Sequence, residues 1–483
     1  MNKHYINGQW VASVADDGYE HRNPADLDEV TGVWPNGARE DAGRATAAAR
    51  AAFDSWRSMP AIRRADHFQA LLPAMDRRRE EIARIITVEN GKPLKDSRAE
   101  VQSSYREMEY QVAEGVRLMG RMQPSTHPGV LSYETHVPLG VASVIAPWNF
   151  PFNVPCRKMT PALMAGNTCV FKPSGLAPGA GKILAELFDE AEFPTGVVNV
   201  VFGGGSTVGH ALITSPEVRA VSFTGSTEVG KHINEVAAKS MIRTQLEMGG
   251  KNPLVVLADA DLDAAADAAL TAGYACAGQW CTATSRVVVE RSVVDALTER
   301  VVERVNGLRV GNGLEDDVIM GPVCGVKQVE TISHYLAVGR KEGARVAAGG
   351  SRLQGPDYHR GCFIAPTVFV DVAPNMVIAR EEIFGPVLSI IPVADFEEAI
   401  RVSNAVDFGL SASVYSRDLD KAMRFVDRVE AGMVHVNMMT AHREPALAFG
   451  GVKDSGFGLP ESGDSGIKFF TEHKSVYVRY LDA

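Results

Sequence analysis

A chain of 483 residues exceeds what one hydrophobic core usually organises, so the sequence divides into two or three parts, each able to bury its own interior. Its 45% hydrophobic and 22% charged residues exclude a disordered protein, and a formal charge of −10 offers no basic surface to nucleic acid or an anionic membrane. The opening MNKHYINGQW lacks an apolar signal-peptide core and no later run is apolar for long enough to span a bilayer, so a soluble, cytoplasmic protein acting on small molecules is expected.

Before residue 120 the pattern reads mainly as helices, clearest over 41–56 and 63–90. From about residue 140 short apolar runs rich in β-branched residues predict strands over 141–146, 168–172, 197–201 and 219–223, with helices between them over 177–192, 206–214 and 228–239. A second alternating series follows, with strands predicted over 253–257, 286–290 and 411–416. Buried parallel strands joined by crossover helices account for this order, and the predicted fold class is α/β with two open sheets.

A doubly wound sheet raises the question of a nucleotide. The fingerprint G-x-G-x-x-G fails, because the run Gly203 to Gly209 places Val208 where the third glycine belongs. In FTGSTEVG, Gly225 and Gly230 bracket a helix start directly after a strand, where backbone N–H groups can face a pyrophosphate. An ordinary turn with Ser226 or Thr227 as N-cap explains the same residues.

The six cysteines, Cys156, Cys169, Cys276, Cys281, Cys324 and Cys362, have no disulfide-scaffold spacing, no zinc-ligand pairing and no C-x-x-C. No metal site is expected. The stretch CAGQWCTATSR, Cys276 to Arg286, leaves two readings for its thiols: small packed hydrophobes, or one nucleophile. Three further stretches bear on this choice. APWNFPFNVPCRK sets Asn149 among aromatics and prolines, FKPS ends a strand with Lys172, and LEMGGKNP puts Glu247 beside a double glycine. Taken singly these are a turn residue, a solvated strand end and a surface charge.

In this order and at these separations, however, they resemble the motifs of the aldehyde dehydrogenase superfamily, most of all its α-ketoglutaric and succinic semialdehyde members. The likeness runs from YINGQW near the start through EEIFGPV to FGGVKDSG near the end. The resemblance implies a Rossmann-like cofactor domain (1–119 and 140–249), an α/β catalytic domain (250–454) and a β oligomerisation arm (120–139 and 455–483) that builds homodimers or homotetramers. It implies Cys281 as nucleophile, Glu247 as general base, Asn149 as oxyanion donor, and Lys158 with Glu461 in a proton-transfer path. On the cofactor side it implies Lys172 and Ser174 at the adenosine ribose, Gly225 and Ser226 at the pyrophosphate, Glu382 and Phe384 at the nicotinamide, and Trp148 with Pro147 at the domain edge. Phe150, Trp280, Thr282 and Phe449 are expected around the substrate. Arg286 is expected to serve structure.

The chemistry asks for the same residue types. A thiolate adds to an aldehyde, preorganised N–H donors hold the oxyanion, hydride leaves to the nicotinamide, and a base activates water against the thioester. The resemblance further implies that Arg157, beside Lys158, lines the substrate tunnel and clamps a distal carboxylate, with a pairing to a protein carboxylate as the alternative, and that His442 and Arg443 lie on the pocket loop and add polarity. Where NAD-preferring members carry a glutamate three residues after the ribose lysine, this chain has Gly175, so NAD or NADP is the expected cofactor. Oxidation of aliphatic or aromatic aldehydes is the alternative activity, and a non-catalytic binding protein of the same fold the alternative class.

Overall fold

The structure is a computed structural model that describes residues 1–480. Five parallel strands form the centre of an eight-stranded sheet: Val141–Ile145, Thr168–Lys172, Val198–Val200, Val218–Thr224 and Arg243–Glu247. Helices cover both faces, so the strands are nearly continuous apolar runs. Across the sheet the order is Val198, Thr168, Val141, Val218, Arg243, and the direction of winding therefore reverses between Val141–Ile145 and Val218–Thr224. A ligand crevice opens beyond the carboxyl ends of strands at such a reversal.

A seven-stranded sheet, parallel except for its edge strand Arg345–Ala348, carries the second core. Asn252–Val256 and Thr284–Glu290 lie side by side at its centre, packed through Leu254, Val287, Ile390 and Val414. A third sheet is a separate antiparallel ribbon, in which Thr471–Arg479 runs along Val130–Pro138 and Val130–Pro138 pairs with Arg121–Pro124. Its surface exposes Met122, Leu131, Tyr477 and Val478.

The predicted strands fall where the alternation puts them, within two residues at their ends. The N-terminal region differs. Strands His4–Ile6, Gln9–Val11, Gly18–Asn23 and Asp26–Pro35 precede the helices. Asn7 and Gly8 both take left-handed φ, 54° and 71°, and form the two-residue turn of the first hairpin, which extends the large sheet at its edge. The helix predicted over 63–90 is two helices, Ala61–Arg77 and Arg79–Asn90, broken at Arg78. That predicted over 206–214 is a π-helical turn, Gly205–Gly209, followed by His210–Thr214. The arm expected over 455–483 enters the arm sheet only at Thr471: Gly456–Phe457 instead pairs with Arg243–Glu247, and Gly463–Phe469 is a helix whose Ile467 and Phe469 join the core beneath the large sheet.

Candidate active site

Cys281 stands on a loop delivered by strained backbone. Cys276 and Ala277 take left-handed φ of 52° and 55°, followed by Gly278 at 68°, and such conformations persist only where the surroundings over-determine them. The constraint is visible at Gly278, where any side chain would collide with the Gly385 carbonyl, so this turn packs directly on the turn after Glu382 and Phe384. Asn252 Nδ2 donates to the Cys281 carbonyl at 2.8 Å and to that of Ala283 at 2.9 Å, tying the loop to the central strand. Cys281 is half-buried whereas the other five cysteines are buried, and none is disulfide-bonded. Burial pushes its thiol up to about 12, with the nearby Arg157 charge pulling against that.

The second wall comes from the chain beyond Val141–Ile145. Asn149 Nδ2 donates to the Gln279 carbonyl at 3.0 Å, which leaves one amide proton for another acceptor. A buried ion pair sets this loop in place: Lys92 Nζ lies 2.7 Å from Glu100 Oε2 and donates to the Asn149 carbonyl at 2.5 Å, while Glu100 Oε1 accepts from the Phe152 and Asn153 amides at 3.0 Å each. The Lys92 ammonium also sits 4.1 Å from the centre of the Phe150 ring. Neither Lys92, just ahead of helix Leu94–Val116, nor Glu100 within it figured among the residues expected from sequence.

Glu247 ends its strand buried, with Oε2 unpartnered among the described residues. Burial, then the charge of Glu461, raises its carboxyl well above the usual range, although Lys158 and Arg157 oppose the shift. Burial would raise Glu461 too, but Lys158 Nζ bonds to its Oε1 and Arg157 Nε lies 2.5 Å from its Oε2, and together they hold it down. Two neighbouring carboxyls are thereby driven apart, Glu247 upward and Glu461 downward. Lys158 is fully enclosed in this network and also donates to Ser222 at 2.9 Å.

A cavity of about 760 Å³ runs from the amino end of helix Thr227–Ala238, past Glu382 and Phe384, to Cys281 and on to Arg157 and Phe449, while Glu247, Lys158 and Glu461 lie outside its lining. A family model described as the aldehyde dehydrogenase family matches residues 10–476. The chain belongs to the aldehyde dehydrogenase family. It is 41% identical over 476 residues to the α-ketoglutaric semialdehyde dehydrogenase of Bacillus subtilis (strain 168), covering 98% of this chain and 97% of that protein. It is 40% identical to the 2,5-dioxopentanoate dehydrogenase of Saccharolobus solfataricus, over 97% of this chain and 98% of that one. The crystal structure of betaine aldehyde dehydrogenase from Staphylococcus aureus in complex with NAD⁺ superposes with a TM-score of 0.97 at 36% identity, covering 99% of this chain and 95% of that one.

An aldehyde dehydrogenase binds NAD or NADP, and the residues here fit a dinucleotide. Gly225 and Ser226 line the cavity at the switch point, and Ser226 caps the helix by accepting from Val229 N at 3.4 Å. Glu382 accepts from the Gly250 amide at 3.0 Å, and enclosure pushes its carboxyl up to about 7. Trp148 meets Phe384 edge to face at 5.5 Å. Lys172 is buried, with its ammonium pushed down to about 8, while Ser174 closes a turn by accepting from Leu176 N. Neither of these two lines the cavity itself.

At the other end of this dehydrogenase's cavity Phe150 and Trp280 pack at 5.2 Å, and the Arg157 guanidinium lies 4.2 Å above the Phe449 ring. Three sequence expectations change. Thr282 is buried outside the cavity, where its carbonyl accepts from Thr440 at 2.7 Å. Arg157 lines the cavity but is paired with Glu461. Arg443 also lines it, and is occupied by Glu107 at 2.9 Å, Ser103 at 2.9 Å and Asn153 at 2.8 Å. The sequence reading passed over Asp96, Ala99, Glu100, Ser103 and Arg106, which recur at helical spacing on one face of Leu94–Val116 and line the cavity. Arg286 donates to three backbone carbonyls, those of Lys251, Val402 and Ser403, away from the cavity.

Proposed function

We propose that this aldehyde dehydrogenase oxidises an ω-oxo carboxylate, of the α-ketoglutaric or succinic semialdehyde kind, to the dicarboxylate. The observation that carries this reading is the lining of the cavity beyond Cys281, which includes three arginines, Arg106, Arg157 and Arg443, of which Arg106 has no carboxylate partner among the described residues. The names of the two semialdehyde-oxidising relatives agree with it.

In this reading Cys281 attacks the aldehyde carbon once its thiol has lost a proton, and Asn149 together with the Cys281 backbone N–H holds the oxyanion. The nicotinamide, when bound, supplies the hydride acceptor. Glu247 then removes a proton from the water that cleaves the Cys281 thioester, and the proton passes toward Glu461 and Lys158 behind it. Lys172, Ser226 and Glu382 hold the cofactor. The absence of a carboxylate at Gly175 supports use of NADP as well as NAD. The exposed apolar side chains of the arm support assembly into homodimers or homotetramers.

The test is a panel of ω-oxo acids, aliphatic aldehydes and aromatic aldehydes, each with NAD and with NADP. The expected outcome is the highest kcat/KM with an ω-oxo acid, abolished in Cys281→Ala without loss of cofactor binding. A higher kcat/KM with an uncharged aliphatic or aromatic aldehyde would overturn the substrate assignment.

A further inference from the structure

The three arginines on the cavity wall differ in what surrounds them. Arg157 is 4% exposed and has Glu461 at 2.5 Å, and Arg443 is 19% exposed and has Glu107 at 2.9 Å. Each of these arginines has a buried carboxylate as its partner, Arg157 sharing Glu461 with Lys158 and Arg443 held by Glu107. Arg106 is exposed, and among the described residues it has no ion-pair partner and no hydrogen bond.

Its position follows from the helix that carries it. Arg443 is held by Ser103, and Arg106 stands three residues further along Leu94–Val116 on the same face. Two acidic groups share that face: Glu100, six residues away and roughly 9 Å along the axis, is paired with Lys92, and Asp96, ten residues away and roughly 15 Å along it, also lies beside Lys92. The cavity thus carries a series of guanidinium groups graded from exposed Arg106, through half-buried Arg443, to buried Arg157, whose charge acts on Cys281.

We propose that Arg106 is a specificity-determining residue: as the uncompensated positive charge at the cavity mouth, it captures the distal carboxylate of the substrate and orients the aldehyde end toward Cys281. This rests on the reading that the substrate is a carboxylate-bearing aldehyde. An anionic group gains most from a cation that no protein carboxylate already neutralises, and an exposed cation acts chiefly on encounter, through KM and with strong salt dependence.

The experiment compares Arg106→Gln and Arg106→Lys with the unaltered enzyme, using succinic semialdehyde and butanal at low and high ionic strength. Arg106→Gln is expected to lower kcat/KM for succinic semialdehyde about three- to tenfold at low salt, mostly through KM, with the effect fading as salt rises. Arg106→Lys should retain most of it, and butanal, with no carboxylate to lose, should keep its kcat/KM. An equal fall for both substrates, or a salt-independent fall, overturns the assignment. If the unaltered enzyme prefers succinic semialdehyde and Arg106→Gln keeps that preference, the Arg106 assignment alone fails. If the unaltered enzyme does not prefer succinic semialdehyde to butanal, the substrate reading and the assignment fail together.

Discussion

Glu247 and Glu461 share one enclosed region yet are shifted in opposite directions, and in the proposed mechanism this difference sets how turnover depends on pH. If Glu247 is the general base proposed, it must lose its proton to activate water, and because burial holds its carboxyl above the usual range kcat should climb as pH rises. In Glu247→Gln the climb should vanish: a first burst of reduced cofactor is expected, followed by a stall, with steady-state kcat down about 10²- to 10⁴-fold, and rapid-quench or stopped-flow absorbance separates the two phases. Loss of the burst as well would give Glu247 a part in activating Cys281. At Arg157 the alternative weighed from sequence, a protein carboxylate as partner, is the arrangement found. Arg157→Ala leaves Glu461 paired with Lys158, so the loss in unfolding free energy should be that of one charge-assisted contact, about 1.5–3 kcal/mol, together with a fall in kcat/KM for charged and uncharged aldehydes alike. At Gly175 a Cβ would lie 3.1 Å from the Tyr19 hydroxyl, so Gly175→Glu needs that neighbour to give way. The pair Gly175→Glu with Tyr19→Phe should lower the NADP-to-NAD ratio of kcat/KM by about tenfold or more, since a carboxylate there repels the 2′-phosphate. An unchanged ratio would place cofactor selectivity elsewhere.

The helix Leu94–Val116 acts as a unit, because one of its faces lines the cavity while Glu100, on that face, anchors the loop that presents Asn149. Lys92→Met leaves Glu100 enclosed without its cation, so unfolding should become easier by about 3–5 kcal/mol. The loosened loop should also misplace Asn149, where an error of about 1 Å can reduce kcat/KM on the order of a hundredfold. The double change Lys92→Met with Glu100→Gln removes both charges and should recover part of the stability, but not the activity. Thermal unfolding and steady-state kinetics on the three variants check this, and equal stability of single and double variants would show that the pair is not coupled.

At the scale of the whole molecule the arm is a three-stranded ribbon with apolar side chains turned outward, Met122 71% and Tyr477 74% exposed, which a free monomer has little reason to keep. Met122→Glu with Tyr477→Glu should reduce the particle mass measured by light scattering, and a protein already monomeric before substitution would refute the assembly. The strands from Val141 onward were legible in the sequence because parallel strands covered on both faces are nearly continuous β-branched runs, and the family was legible because several short motifs recur in a fixed order. The N-terminal hairpin carried a usable signal, the Asn7-Gly8 turn, but its three-residue strands are too short for periodicity to register. The partners of Arg157 and Arg443 were not legible, since Glu461 lies about three hundred residues from Arg157, and Glu107 and Arg443 are likewise far apart in the chain. Sequence by itself determined the fold class and the family, because the first depends on local alternation and the second on short motifs whose order along the chain is itself readable. Only the tertiary structure decided which arginine keeps an uncompensated charge, because burial and pairing arise when distant segments are brought into contact.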